Sequence, residues 1–211
     1  MDPYDDRRSA GRELAAHLDH HRNALVLGIP VGGVVVADEV AALIGGILSV
    51  APVRRVGAPE SPNLVVGAVG DGGELVVDDE LMARLAITRA DLGDQVARAR
   101  AVIEAEWDSL GARRPEVAGR DVLVVAEGAA SGLRMRAVAA ALRRQEPARL
   151  SVALGVAPPA TVDLLADEVD EVVCPRQPLR LGSIETWYRR YPAVGHEDLR
   201  ALLGRWGHPG A

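Results

Sequence analysis

Apolar residues fall into short, nearly continuous runs at residues 24–29, 47–53, 122–125, 150–156 and 171–174, most of them built from Val, Leu and Ile. Runs of that length without polar alternation predict strands buried on both faces. Between them the apolar period lengthens to that of a helix, over residues 33–44, 88–107, 131–144 and 158–166. In the third of these, Met135, Val138, Ala139 and Leu142 repeat at helical spacing, while Arg136, Arg143 and Arg144 fall on other faces. Strand alternating with helix predicts parallel pairing through right-handed crossovers: an α/β fold with a Rossmann-like open parallel sheet flanked by helices. An amphipathic helix over 9–22 is expected to cap this fold, and a short one over 197–206 to follow it.

Two stretches break the rhythm. Residues 64–69 and 74–77 are strand-like and flank Gly70-Asp71-Gly72-Gly73, a hairpin turn, after a segment over 56–63 expected to be loop. Residues 175–195 show little periodicity and are punctuated by Pro175, Pro178 and Pro192, as in a long ordered loop. Both are expected to form a hood, from about 54–80 and 175–195, on a single domain spanning 1–211.

Composition narrows the class. With 211 residues, 48% hydrophobic and 26% charged, the chain suits one globular domain that needs no staple. The single cysteine, Cys174, excludes an internal disulfide and suits a reducing compartment. The N-terminal residues lack the order of a secretory signal. Two long uncharged runs, 24–37 and 40–53, have 14 residues each and contain Gly or Pro, short of a membrane span. A cytoplasmic protein is expected. The formal charge of −6 argues against broad binding of nucleic acid or anionic membrane, so any anion must be held locally. All 24 basic residues are arginine, and in so Ala-, Val- and Gly-rich a chain a coding bias accounts for that.

In open α/β sheets ligands bind beyond the carboxyl ends of the strands. Two loops there are rich in small residues, Gly28-Ile29-Pro30-Val31-Gly32-Gly33 and Ala126-Glu127-Gly128-Ala129-Ala130-Ser131-Gly132. In the second, a strand delivers one acid, then small residues, then a serine at the expected start of a helix, whose free N–H groups favour an anion. The plainer reading is a tight turn with Ser131 as N-cap.

The run from Val122 to Gly132 resembles the phosphoribosyl-pyrophosphate loop of type I phosphoribosyltransferases, an apolar strand followed by two acids and Gly-x-Ala-Thr-Gly-x-Thr. The segment from Gly28 to Val40 is similar to that family's pyrophosphate loop, and residues 53–59 followed by Gly67-Ala68-Val69 to the flap of a bacterial subgroup; Asp170 to Cys174 and Trp187-Tyr188 also fit. The resemblance covers roughly residues 5 to 206. It implies displacement of diphosphate from a ribose anomeric carbon by a nitrogen nucleophile, with Mg²⁺ on the diphosphate, by positioning and electrostatic stabilisation. It implies Glu127 and Arg55 in catalytic positions, with Glu127, Gly128, Ala129, Ala130, Ser131 and Gly132 on ribose and 5′-phosphate. Val31, Gly32, Gly33, Arg54 and Arg55 are implied on the diphosphate. The partner implied is a small-molecule sugar phosphate or nucleotide, and a homodimer is compatible with it.

The departures fall on polar contacts. The first acid is Ala126, the second is Glu127, the last threonine of the loop is Arg134, and the pyrophosphate-loop arginine is Val31. At ~1.5–3 kcal/mol for a charged hydrogen bond, each loss costs about one to two decades in binding or rate. The sequence therefore supports binding of phosphoribosyl diphosphate or a related sugar phosphate, with efficient turnover in question. The competing reading is a non-catalytic regulatory or interaction module that kept the fold and lost the site.

Other chemistry is weakly signalled. His17 and His21 share a face of the expected helix, with His20 nearby, but an exposed helix without a metal is the expectation. Cys174 reads as a small buried hydrophobe. Trp187, Tyr188 and Tyr191 either stack on an acceptor base or pack the hood against the core. Neither a Gly-x-Ser-x-Gly elbow nor a Gly-x-Gly-x-x-Gly loop is present.

Overall fold

The computed structural model describes residues 1–207. Strands β1 (Leu25–Gly28), β2 (Ile47–Val50), β6 (Asp121–Ala126), β7 (Arg149–Leu154) and β8 (Glu171–Val173) form one sheet in the order β2-β1-β6-β7-β8. Every neighbouring pair is parallel. Its central strands are buried on both faces, as continuous apolar runs require. Val26, Leu48, Leu123 and Val125 enter one core cluster, and Leu25, Leu27, Val122 and Val124 the other. Helices α1 (Arg7–Ala15) and α2 (Gly32–Ile44) cover the first face, and α5 (Leu133–Arg143) the second. A fully buried Leu such as Leu25 or Leu123 contributes about 1.5–3 kcal/mol.

The connection β1–α2–β2 runs to one side, whereas β6–α5–β7 runs to the other. The strand order therefore reverses between β1 and β6, and the crevice beyond their carboxyl ends is the natural ligand position. Both small-residue loops leave the sheet there.

The expected strand over 47–53 is two strands in two sheets. Proline cannot donate to a ladder, and the chain leaves the parallel sheet at Ala51-Pro52. Strand β3 (Val53–Ala58) then pairs antiparallel with β4 (Ser61–Gly70). Residues 56–63 are thus largely strand rather than loop, turning at Pro59-Glu60 with register shifts beside Gly57. The expected hairpin follows: β5 (Leu75–Val77) pairs with Gly67, Ala68 and Val69. The outcome is a three-stranded antiparallel sheet, whose Val56, Val66 and Val77 share a core cluster with Val26 of the parallel sheet.

Three helical boundaries also differ. The segment 88–107 begins as a short 3₁₀ turn over Ala90–Leu92, and α4 spans Gly93–Leu110. The side chain of Asp91 accepts from both the amide and the hydroxyl of Thr88, a local contact that shapes the turn at the start of the segment. A short α3 (Asp79–Arg84), capped by the Asp78 carboxylate on the Leu81 amide, was not signalled by periodicity. The helix expected over 9–22 is α1 alone, opened by a capping box between Asp6 and Ser9. The chain beyond it forms a 3₁₀ turn over Asp19–His21, so the histidines do not line an exposed helix: His21 is fully buried. Helices α6 (Pro159–Ala166) and α7 (His196–Gly204) lie close to their expected places. Among the described residues no helix is long and apolar enough to cross a membrane.

Candidate functional site

Strand β6 ends at Ala126 and delivers Glu127 to the crevice. The loop that follows is fixed from both sides: the Ala129 amide donates to the Val156 carbonyl at 2.9 Å, and the Thr161 hydroxyl donates to the Ala130 carbonyl at 2.6 Å. Helix α5 starts one residue later than the serine suggests. Its N-cap is Gly132, whose φ of 73° is the left-handed conformation glycine adopts without strain. Ser131 therefore does not cap the helix; its side chain is exposed and makes no hydrogen bond to a described residue. The first amides of α5 have no side-chain cap. Such an N-terminus carries a partial positive charge and unsatisfied donors.

A cavity of about 230 Å³ opens against this loop, lined by Gly128 to Met135 together with Arg55, Val65 and Ile184. Both of its arginines lack an ion-pair partner among the described residues. Burial, and then the neighbouring charge of Arg55, pull the Arg134 guanidinium below its ordinary value. The wall thus concentrates positive charge, which the Glu127 carboxylate offsets only in part. The flap pair Arg54-Arg55 divides its duties because successive strand residues face opposite ways. Arg55 faces the loop cavity, while Arg54 pairs with Glu106 of α4 at 2.7 Å.

The other loop is arranged differently. The Pro30–Val31 peptide is cis, and the Val31 side chain, where the family has arginine, is 43% exposed. Gly32 and Gly33 open α2 and are buried. A Cβ on Gly32 would lie 1.5 Å from Glu127 Oε2 and 2.6 Å from Arg7 Nε, so glycine is required for those side chains to reach the loop. Glu127 therefore does not project freely into the crevice. Its carboxylate rests against the diphosphate-type loop and accepts from Arg7 Nε at 3.0 Å. Arg7 is nearly buried, stacks 3.7 Å above the Tyr191 ring, and donates from Nη1 to the Pro192 carbonyl at 2.7 Å.

The C-terminal aromatic residues serve packing. Tyr188 donates its hydroxyl to the Glu127 carbonyl at 2.5 Å and stacks on Tyr4, with ring centroids 5.4 Å apart. Tyr4 in turn donates to the Gly155 carbonyl at 2.9 Å. Trp187 donates from its indole nitrogen to the Leu181 carbonyl at 2.9 Å. Ala126, at the position of the family's first acid, is buried at the end of its strand. Cys174 is buried, with its thiol donating to the Arg176 carbonyl and pushed up to about 11 by burial. Arg7 escaped sequence reasoning because its partner Glu127 lies 120 positions away.

Comparison with known proteins agrees with this fold. A family model described as a phosphoribosyl transferase domain matches residues 4–178, and the chain belongs to that family. It is 33% identical over 211 residues to a Mycobacterium tuberculosis protein bearing the provisional name of phosphoribosyl transferase Rv0571c, covering 97% of this chain and 47% of that one. The chain thus spans about half the length of the curated relatives it matches. The crystal structure of TT1426 from Thermus thermophilus is 37% identical, covers 98% of this chain and 99% of that chain, and has a TM-score of 0.82. The AQ2163 protein from Aquifex aeolicus, 10% identical over 93% of this chain and 85% of that one with a TM-score of 0.53, is alike in fold alone.

Proposed function

We propose that this protein binds phosphoribosyl diphosphate or a closely related sugar phosphate at the crevice between β1 and β6. The observation that carries this reading is the pairing of an uncapped helix N-terminus with two arginines, Arg55 and Arg134, that make no ion pair with a described residue. A phosphate would supply the missing negative charge and accept from the free donors. In this reading the Gly128 to Gly132 amides, the Ser131 hydroxyl and Arg134 hold the 5′-phosphate, and Arg55 closes over the ligand.

The diphosphate would lie against Gly32 and Gly33. Val31 offers no charge there, but Arg7 reaches the same place from α1 and supplies a guanidinium in its stead. Glu127 must then leave Gly32, and once swung outward it is the carboxylate available to a ribose hydroxyl. Mg²⁺ fits here in a limited way, since Ala126 leaves Glu127 as the one carboxylate at this loop and the remaining ligands would be diphosphate and water. Bound in that manner, the ion would neutralise a departing diphosphate. Transfer to a nitrogen acceptor would be slow, because one carboxylate stands where the family uses two.

A second reading is favoured by the Glu127 carboxylate over Gly32: a module whose own side chain fills the diphosphate position. Calorimetric titration with phosphoribosyl diphosphate and Mg²⁺ separates the two. Binding predicts saturable heat that weakens about 10- to 100-fold in Arg134→Ala. Absence of heat and of thermal shift at millimolar ligand contradicts it. The module reading predicts that Ala126→Asp with Val31→Arg changes no phenotype in cells.

A further inference from the structure

The histidines at the start of the chain form a constellation that the crevice does not use. It lies at the opposite end of the parallel sheet, where Asp121, Arg149 and Glu171 are the first residues of β6, β7 and β8. His20 Nε2 lies 2.8 Å from Glu171 Oε2, and His21 Nε2 lies 2.9 Å from the same oxygen. These three ligand atoms all fall within 4.8 Å of one another. His21 is wholly buried, and its Nδ1 lies 2.8 and 3.0 Å from the two carboxylate oxygens of Asp121. Arg149 Nη2 also reaches Glu171 Oε2, at 2.8 Å.

We infer that His20, His21 and Glu171 form a binding site for a borderline divalent cation of the Zn²⁺ type, with Asp121 orienting His21 from behind. Two imidazole nitrogens and one carboxylate, with a fourth position left to water, are a donor set suited to such an ion. Bonds of ~2.0–2.1 Å to a tetrahedral ion set ligand atoms about 3.3 Å apart, so the two contacts on Glu171 need open by only about half an ångström. Asp121 fixes which nitrogen is free: with Nδ1–H donated to it, the Nε2 lone pair of His21 points toward Glu171. That carboxylate–imidazole relay is the usual support of a metal-bound histidine. The cation displaces to solvent any proton held on the two Nε2 atoms, and the Arg149 guanidinium, which reaches the same Glu171 Oε2, must pass to the other carboxylate oxygen as the ion takes its place.

The site would clip the turn before β1 onto the ends of β6 and β8, far from the crevice, so its consequence is stability. Equilibrium dialysis of the metal-free chain against micromolar Zn²⁺, followed by thermal melting, tests this. One equivalent of Zn²⁺ is expected, with Tm raised about 5–10 °C at a hundredfold excess over Kd. His20 is half exposed, so His20→Ala keeps the fold while losing both uptake and shift, and Glu171→Gln does the same. Co²⁺ uptake should give the visible absorption of a four-coordinate site in the natural chain and not in either variant. Absence of uptake, or uptake unchanged in both variants, overturns the assignment.

Discussion

Arg7 Nε and Glu127 Oε2 meet at 3.0 Å directly over Gly32, joining the N-terminal helix to the end of the central strand β6. Both side chains are largely withdrawn from water, at 8% and 15% exposure, so each needs the other. Replacing Arg7 by Met leaves a carboxylate uncompensated and is expected to cost about 3 kcal/mol, lowering Tm by roughly 6–12 °C. The double variant Arg7→Met with Glu127→Gln should recover much of that loss. Denaturant unfolding of the single and double variants measures the coupling, and additive losses would show that the pair is incidental.

The C-terminal segment is held to the same strand end through Tyr188. A Cβ on Gly155 would lie 2.3 Å from the Tyr188 hydroxyl and 2.6 Å from the Glu127 carbonyl. Gly155→Ala should therefore destabilise by about 1–3 kcal/mol. Tyr188→Phe, which removes only the hydroxyl, should cost about 1 kcal/mol and relieve part of the Gly155→Ala defect. Thermal melts of the three variants check this ordering.

Alkaline stability should reflect the buried Cys174. Burial lifts its thiol from 9.0 to about 11, so the unfolded chain releases the proton first. The contribution is complete below pH 9 and is lost as pH rises toward 11, by about 2 kcal/mol. Tyr4 and Tyr188, also raised by burial, act with the same sign above pH 10. Comparing unfolding free energies of the natural chain and Cys174→Ala across this range isolates the thiol: the difference should narrow as pH rises.

The two flap arginines should behave differently. Arg55 faces the loop cavity, whereas Arg54 is tied to Glu106. Arg55→Ala is expected to weaken phosphoribosyl diphosphate about 10- to 100-fold, and Arg54→Ala to leave its affinity within about threefold. Calorimetry on both variants decides it.

The parallel sheet was legible because strands buried on both faces must be apolar throughout, as Leu25 and Val122 to Val125 are. The two small-residue loops that leave the ends of β1 and β6 were legible from their composition. The flap was only half legible: Pro59 and Pro62 suggest loop, yet Pro59 sits in the turn and Pro62 in the first residues of β4, ahead of the stretch that pairs with β5. The histidines were misplaced because helical spacing between His17 and His21 says nothing of Asp121 and Glu171, which the topology brings to His21 from 100 and 150 positions away. Arg7 was invisible for the same reason. Val31 marks a missing charge in the sequence, and only the packing of α1 reveals a guanidinium at that place.

The central claim, that the loop following β6 holds a phosphate, is tested most directly by amide chemical shifts in ¹⁵N-labelled protein titrated with ribose 5-phosphate. The expected result is saturable movement of the Gly128 to Gly132 and Leu133 amides, strongly weakened in Arg134→Ala. Amides in that loop that stay still at millimolar ligand, or move equally in the variant, would contradict it.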